Sequence, residues 1–348
     1  MTLTAARPTV ARPRVRRWGP AFAIALAVLA VLALLSLMVG SSTLPVATAW
    51  HALTRYDATD DAQLVIHTLR LPRTGLAVVV GAALGAAGCL MQAITRNPLA
   101  DPGVLGVNAG AAAAVVTAIA VFGLTTPGSY LGFALLGSAI AAALVLGLGG
   151  GIRVGLRGGS AVRLVLAGTA VSVVLGSFTS AITINYPEVF DVFRFWVVGA
   201  LQGRGMSVLV AVTPIVAAGL VLAWSLSGSL NALALGADTG AALGASVGRT
   251  WALSGIAIVL LAGGATAGAG PVAFIGLAAP HVARLLTGPD HRRLVPMSAL
   301  LGANLLLAAD VVGRLVARPS EVQAGIVAAV VGAPVFIWLV RRRRMVAL

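Results

Sequence analysis

The chain carries ten apolar runs, at about 20–40, 74–94, 104–122, 130–149, 161–182, 206–226, 251–269, 272–287, 294–314 and 322–340, most of them longer than 18 residues and almost free of charge. A run of that length, wound as a helix, crosses roughly 30 Å of hydrocarbon. In hydrocarbon the backbone has to satisfy its own hydrogen bonds, which leaves helices or a closed barrel. The runs are continuous and do not alternate, so a barrel is a poor fit. Composition agrees, with 59% hydrophobic and 10% charged residues, against roughly half apolar and a quarter charged in a soluble domain. The expected fold is all-α: one polytopic membrane domain of about ten transmembrane helices over 20–340, between Arg-rich tails at 1–19 and 341–348. Arg16-Arg17 and Ala47-Thr48-Ala49 imitate a leader peptide. The apolar stretch between them is longer than the 7–15 residues of a signal core, so it reads as the first membrane helix.

A net charge of +14 would suggest nucleic acid in a soluble chain. Here the cations sit in short loops, where topology accounts for them. With the N-terminus in the cytoplasm and the spans alternating, 17 arginines fall inside, from Arg7 to Arg17 and on to Arg341–Arg344. Seven fall outside: Arg55, Arg70, Arg73, Arg194, Arg204, Arg314 and Arg318. Asp57, Asp60, Asp61, Glu188, Asp191 and Glu321 also fall outside. Both termini are therefore expected in the cytoplasm. There is no lysine, so a P-loop of the Walker type is excluded. Cys89 is the single cysteine, so no intrachain disulfide can form.

Several constellations stand out against this apolar background. Arg70-Leu71-Pro72-Arg73 opens the second run, which closes at Asn97-Pro98-Leu99-Ala100-Asp101-Pro102-Gly103. Gly81–Gly88 recurs as Gly263–Gly270, each followed by a proline-bearing break. On the alternating topology the two copies run in opposite directions, a habit of transporters. Gly81/Gly85, Gly106/Gly110 and Gly264/Gly268 are small residues four apart, which let helices approach closely in lipid. Residues 231–248 are too polar and too broken by glycine to span easily. They fit either two short helices presenting Leu and Val to a soluble partner or a re-entrant interfacial segment. Pro280 interrupts the eighth run. His281 and His291 invite a metal or haem reading, but they are ten apart with no Cys or Glu nearby, so structural roles fit better. Asp310 and Arg314 are one helical turn apart on a shared face. A proton relay would need further buried acids beside Asp310, and none is evident. Arg70, Arg73 and Arg314, all expected at the outer surface, can receive carboxylates in bidentate fashion or can anchor the chain at the interface.

These motifs in this order resemble the permease family of iron–siderophore and vitamin B12 ABC importers. The resemblance rests on Arg70-x-x-Arg73, the Gly81–Gly88 stretch, Gln92, Asn97-Pro98-Leu99-Ala100, Leu233-Ala234-Leu235-Gly236, Phe274-x-Gly276-Leu277-x-x-Pro280-His281-x-x-Arg284, Asp290-His291-Arg292, Asp310-x-x-x-Arg314, Glu321 and Gly332-Ala333-Pro334. It runs from about residue 64 to the C-terminus. It implies a type II importer permease in the bacterial cytoplasmic membrane, paired with itself or a homologue around a central path. Two separate ATPase subunits would dock below and carry ATP and Mg. A periplasmic or lipid-anchored binding protein would dock above. The chain itself would hold no cofactor or metal, would catalyse no reaction and would bind no nucleic acid. Arg70, Arg73 and Arg314 match the positions that receive acids of the binding protein. Residues 231–248 match the coupling helices, with Leu233, Leu235, Gly236, Ala237, Asp238, Leu243 and Gly244 facing the ATPase. Asn97, Pro98, Pro280, His281, Arg284 and Asp310 take structural or gating roles. The chain departs from the family at Ala237 and Ala241, where Glu and Arg are usual. The expected cargo is ferric siderophore, with cobalamin or haem as alternatives within the family. Outside the family the alternatives are an ion-coupled transporter or a haem protein using His281 and His291.

Overall fold

A computed structural model describes residues 18–40, 44–150, 161–317 and 320–341. The tail arginines Arg7–Arg17 and Arg342–Arg344, together with Arg153, Arg157 and Arg318, lie outside the described residues. In chain order the helices are α1 (Trp18–Met38), α2 (Val46–Thr54), α3 (Asp61–Val65), α4 (Leu71–Thr95), α5 (Val107–Phe122), α6 (Leu131–Leu148), α7 (Ala161–Asn185) and α8 (Pro187–Val197). They continue as α9 (Met206–Ser225), α10 (Ser227–Ala234), α11 (Ala237–Ala242), α12 (Val247–Ile258), α13 (Gly264–Ala269), α14 (Ile275–Thr287), α15 (His291–Val316) and α16 (Ala324–Arg341). A π turn over Ile66–Arg70 joins α3 to α4, and another over Val259–Gly263 joins α12 to α13. No strand occurs among the described residues. Among the described residues, seven continuous helical stretches are long and apolar enough to cross a membrane.

Each of the ten apolar runs is helical, with one adjustment. The eighth begins at Ile275, because Phe274 takes a left-handed conformation at φ 68° and the residues before it are not helical. The resulting 13-residue helix is about 20 Å long at 1.5 Å per residue, too short to cross alone. Local chemistry sets the other ends. Arg96, at φ 49°, closes α4 just before Asn97-Pro98, and the residue before a proline disfavours continued helix. Asp60, Asp101 and Asp290 each accept an N–H of the turn that follows them, capping donors that a helix start leaves unpaired.

Within the most apolar 18 residues of each, 78% are buried in the stretch ending in α4, against 17% in α1 and in α7. The bundle is thus built around α4, with α15, α14 and α9 packed against it. Glycine makes that packing possible. A Cβ on Gly81 would lie 2.5 Å from the Gly302 carbonyl oxygen, and Gly85 and Gly88 meet the backbone of Ser298 and Gly276. Pro280 has no N–H to give the carbonyl of Gly276, four residues earlier. That freed carbonyl is the one Gly88 packs on. The second glycine stretch, Gly263–Gly270, closes another deeply buried segment, Val247–Ala269.

Candidate functional site

Two polar regions occupy opposite ends of α4. At its start, Arg70 closes the π turn and Arg73 follows Pro72, so both arginines share one face. Arg73 forks onto Asp310 through Nε and Nη2, at 3.0 and 2.8 Å from Oδ1, and its Nη1 donates to Glu321 Oε2 at 2.6 Å. Arg314 pairs with the other oxygen of Asp310 across one turn of α15. Arg314 Nη1 also donates to the carbonyls of Ser36 and Val39 at 2.8 and 3.0 Å, and Arg70 Nη1 to that of Leu37 at 2.8 Å. These carbonyls close α1, where the last turn has no helical donors, and a cation there also meets the negative end of the helix dipole. Ser36 Oγ bridges Arg314 and Thr74, at 3.0 and 2.6 Å.

All of these side chains are buried except the half-buried Glu321, and Asp310 is buried completely. The cluster sets Arg70, Arg73 and Arg314 around Asp310 and Glu321. Arg73 and Arg314 are therefore already committed to acids of their own chain. Beside them opens a cavity of about 710 Å³ lined by Arg70, Arg73, Arg204, Arg314, Glu321 and Gln202 among others. Arg204 enters this site unannounced. Its sequence neighbours carry no recognisable motif, and only the loop between α8 and α9 brings it beside the N-terminal end of α4.

At the other end of α4, Arg96 donates to the carbonyl of Leu233 at 2.7 Å. This ties on α10 and α11, which turn at Gly236 (φ 117°) and end at Gly244 (φ 86°). Residues 231–248 thus form two short helices joined at a glycine. Leu235 is 65% exposed and Leu243 63%. Asp238 is exposed too, Leu233 is half-buried, and Ala237 opens α11. Asn231 knits the pair to the bundle, donating to Asp290 at 2.7 Å and accepting from the His291 backbone at 2.9 Å. Partial burial works against the charged form of Asp290. Hydrogen bonds from Asn231 and from the Arg292 N–H, with Arg293 and Arg292 nearby, nevertheless hold its carboxyl below the usual range.

The remaining expected residues are placed within the frame. Asn97 Oδ1 accepts the Leu99 N–H at 2.9 Å and shapes the turn containing Pro98. Arg284 is buried and donates to Gln92 Oε1 at 3.3 Å. His281 is buried on α14, while His291 begins α15 with Nδ1 2.8 Å from Asn231 Oδ1. Among the described residues, no three His, Cys, Asp or Glu side chains gather as a metal site.

The FecCD transport family model matches residues 28–342. The ferric enterobactin transport system permease protein of Escherichia coli is 45% identical over 89% of this chain and 91% of its own length. The cobalamin import system permease protein of Halobacterium salinarum is 35% identical over 86% of this chain and 81% of its own. A solved metal-chelate type ABC transporter in an inward-facing conformation superposes with a TM-score of 0.79 at 28% identity. That superposition covers 93% of this chain and 99% of the other.

Proposed function

The chain belongs to the FecCD transport family, and from that membership we propose that it is the permease subunit of an ATP-driven importer that carries ferric siderophore across a bacterial cytoplasmic membrane. Two permeases, two copies of this chain or this chain and a homologue, would enclose the path. Two ATPase subunits sit below and a periplasmic or lipid-anchored binding protein above, with both permease termini in the cytoplasm. The observation that carries this reading is the division of labour along α4. One end bears a cationic cavity built on a buried ion cluster, and the other bears two short helices with exposed leucines.

In this mechanism the loaded binding protein sets its carboxylates against the Arg70, Arg73 and Arg314 end. Arg73 and Arg314 keep Asp310 and Glu321, and Arg70 on the wall of the same cavity meets the incoming acids. ATP binding closes the ATPases. Leu235, Leu243 and Asp238 receive that motion, and the Arg96–Leu233 bond passes it to the end of α4. With Ala at 237 and 241, this contact lacks the Glu and Arg that the family commonly has there, and Asp238 stands beside them. The chain breaks no bond in its cargo. Beyond the outer cavity the path has low affinity, since tight binding would slow release.

Iron is favoured over cobalamin by the higher identity to the enterobactin permease, 45% against 35%. An ion-coupled mechanism has less support, because Asp310, the fully buried acid, is held by two arginines. The test is uptake of iron-55 siderophore and cobalt-57 cobalamin in iron-limited cells with and without the gene. Loss of iron uptake alone supports the proposal. Loss of cobalamin uptake alone keeps the machinery and replaces the cargo, and no loss of either overturns both readings.

A further inference from the structure

Arg204 is a buried cation that neither the ion cluster nor the coupling helices use. It follows Gly203, at φ 71°, and is 6% exposed. Its Nη1 donates to the Tyr130 hydroxyl at 3.1 Å and its Nε to the Ala200 carbonyl at 3.4 Å. Both acceptors are neutral, and among the described residues no carboxylate pairs with it. Burying a guanidinium without a counter-charge is costly. Arg73 and Arg314, a short way across the same cavity, meet that cost with Asp310 and Glu321.

The surroundings say what could balance the charge. Arg204 lines the 710 Å³ cavity with Arg70, Arg73 and Arg314, against Glu321 as the acid of that wall. With Gln202 and Gly203 it also lines a neighbouring cavity of about 610 Å³, next to Tyr130, Phe195 and Gln323, where the acid of the wall, Asp191, pairs with Arg194. Each volume lies in the range of roughly 300–1,000 Å³ usual for small-molecule sites. Such a space is much larger than one protein carboxylate needs, and Arg204 is recessed in it. We propose that Arg204, with Arg70 beside it, receives an anionic ferric chelate whose iron is held by catecholate or carboxylate oxygens, and that this cavity discriminates against neutral chelates. The inference rests on the ferric-chelate reading above and narrows its substrate class.

The test is equilibrium binding of iron-55 chelates to the permease–ATPase complex in lipid nanodiscs, without binding protein. The probes are a triply anionic ferric tris-catecholate and a neutral ferric tris-hydroxamate. The wild type should bind the catecholate, more weakly as salt rises, and should bind the hydroxamate poorly. Arg204→Gln should weaken catecholate binding about tenfold or more, and Arg204→Lys should restore much of it. Equal binding of both chelates overturns the proposal. So does an unchanged affinity in Arg204→Gln, or no chelate binding by a complex whose cells take up iron. Weakened capture of the binding protein by Arg204→Gln, with chelate binding intact, assigns Arg204 to a protein carboxylate and also overturns it. If Arg204→Gln does not assemble, the wild-type contrast between the two chelates and its salt dependence decide alone. Failure of cells to take up any iron chelate would instead sink the proposed function.

Discussion

Asp310 has no exposed surface and lies between Arg73 and Arg314. Removing its charge leaves two buried guanidinium groups to share Glu321. Asp310→Asn should therefore cost roughly 3–5 kcal/mol, the range for breaking a buried pair from one side. Thermal unfolding of the purified permease reads this directly, and an unchanged midpoint would show that the cluster does not support the fold. Asp290 is a different case, since its carboxyl is held below its ordinary value by Asn231, the Arg292 N–H and nearby arginines, against the effect of burial. A depressed carboxylate contributes stability above its unfolded pKa, and that stability fades as pH falls through the folded value. The melting difference between wild type and Asp290→Asn should be fully present at pH 7 and close below about pH 4. A gap independent of pH would show that Asp290 acts only as a neutral cap.

At the scale of elements, the bundle depends on where helices can touch. A Cβ at Gly88 would run into the Gly276 carbonyl that Pro280 leaves free, while a Cβ at Gly176 on α7 would meet nothing within 4 Å. Gly88→Ala should destabilise by about 1–3 kcal/mol through overpacking. Gly176→Ala should be neutral or gain up to about 1 kcal/mol from helix propensity. Equal melting shifts in the two variants would contradict the packing described. The short helices α10 and α11 carry the other element-scale expectation. Leu235→Asp with Leu243→Asp alters two exposed side chains. The permease should keep its melting temperature yet lose its ATPase subunits on co-purification, and retention of both would remove α10 and α11 from the coupling surface.

For the whole molecule, the ion cluster separates two effects that a sequence-based experiment would mix. Arg73→Glu would set a third acid beside Asp310 and Glu321, so any loss of docking would arrive with a damaged fold. Arg70 points a hydrogen bond at the Leu37 carbonyl and lines the cavity, and Arg70→Glu reports on docking with less collateral change. It should weaken capture of the loaded binding protein about tenfold or more, with a melting shift well below that of Asp310→Asn. Wild-type capture should also fall with salt, as expected for charge-led docking. Capture unchanged by either would remove Arg70 from the interface.

The membrane class, the helical runs and most helix ends were legible in the sequence, because hydrocarbon leaves a continuous apolar run little choice but a helix and because Asp, Gly and Pro act on their immediate neighbours. The two short helices over 231–248 were legible as one of two options, since a glycine pair breaks a helix wherever the segment sits. Only the tertiary structure decided that Arg73 reaches across 237 positions to Asp310, that arginines close the last turn of α1, and that Arg204 faces the same cavity as Arg70. These are meetings between side chains far apart in the chain. Burial, which no local pattern encodes, gives each of those charges its weight.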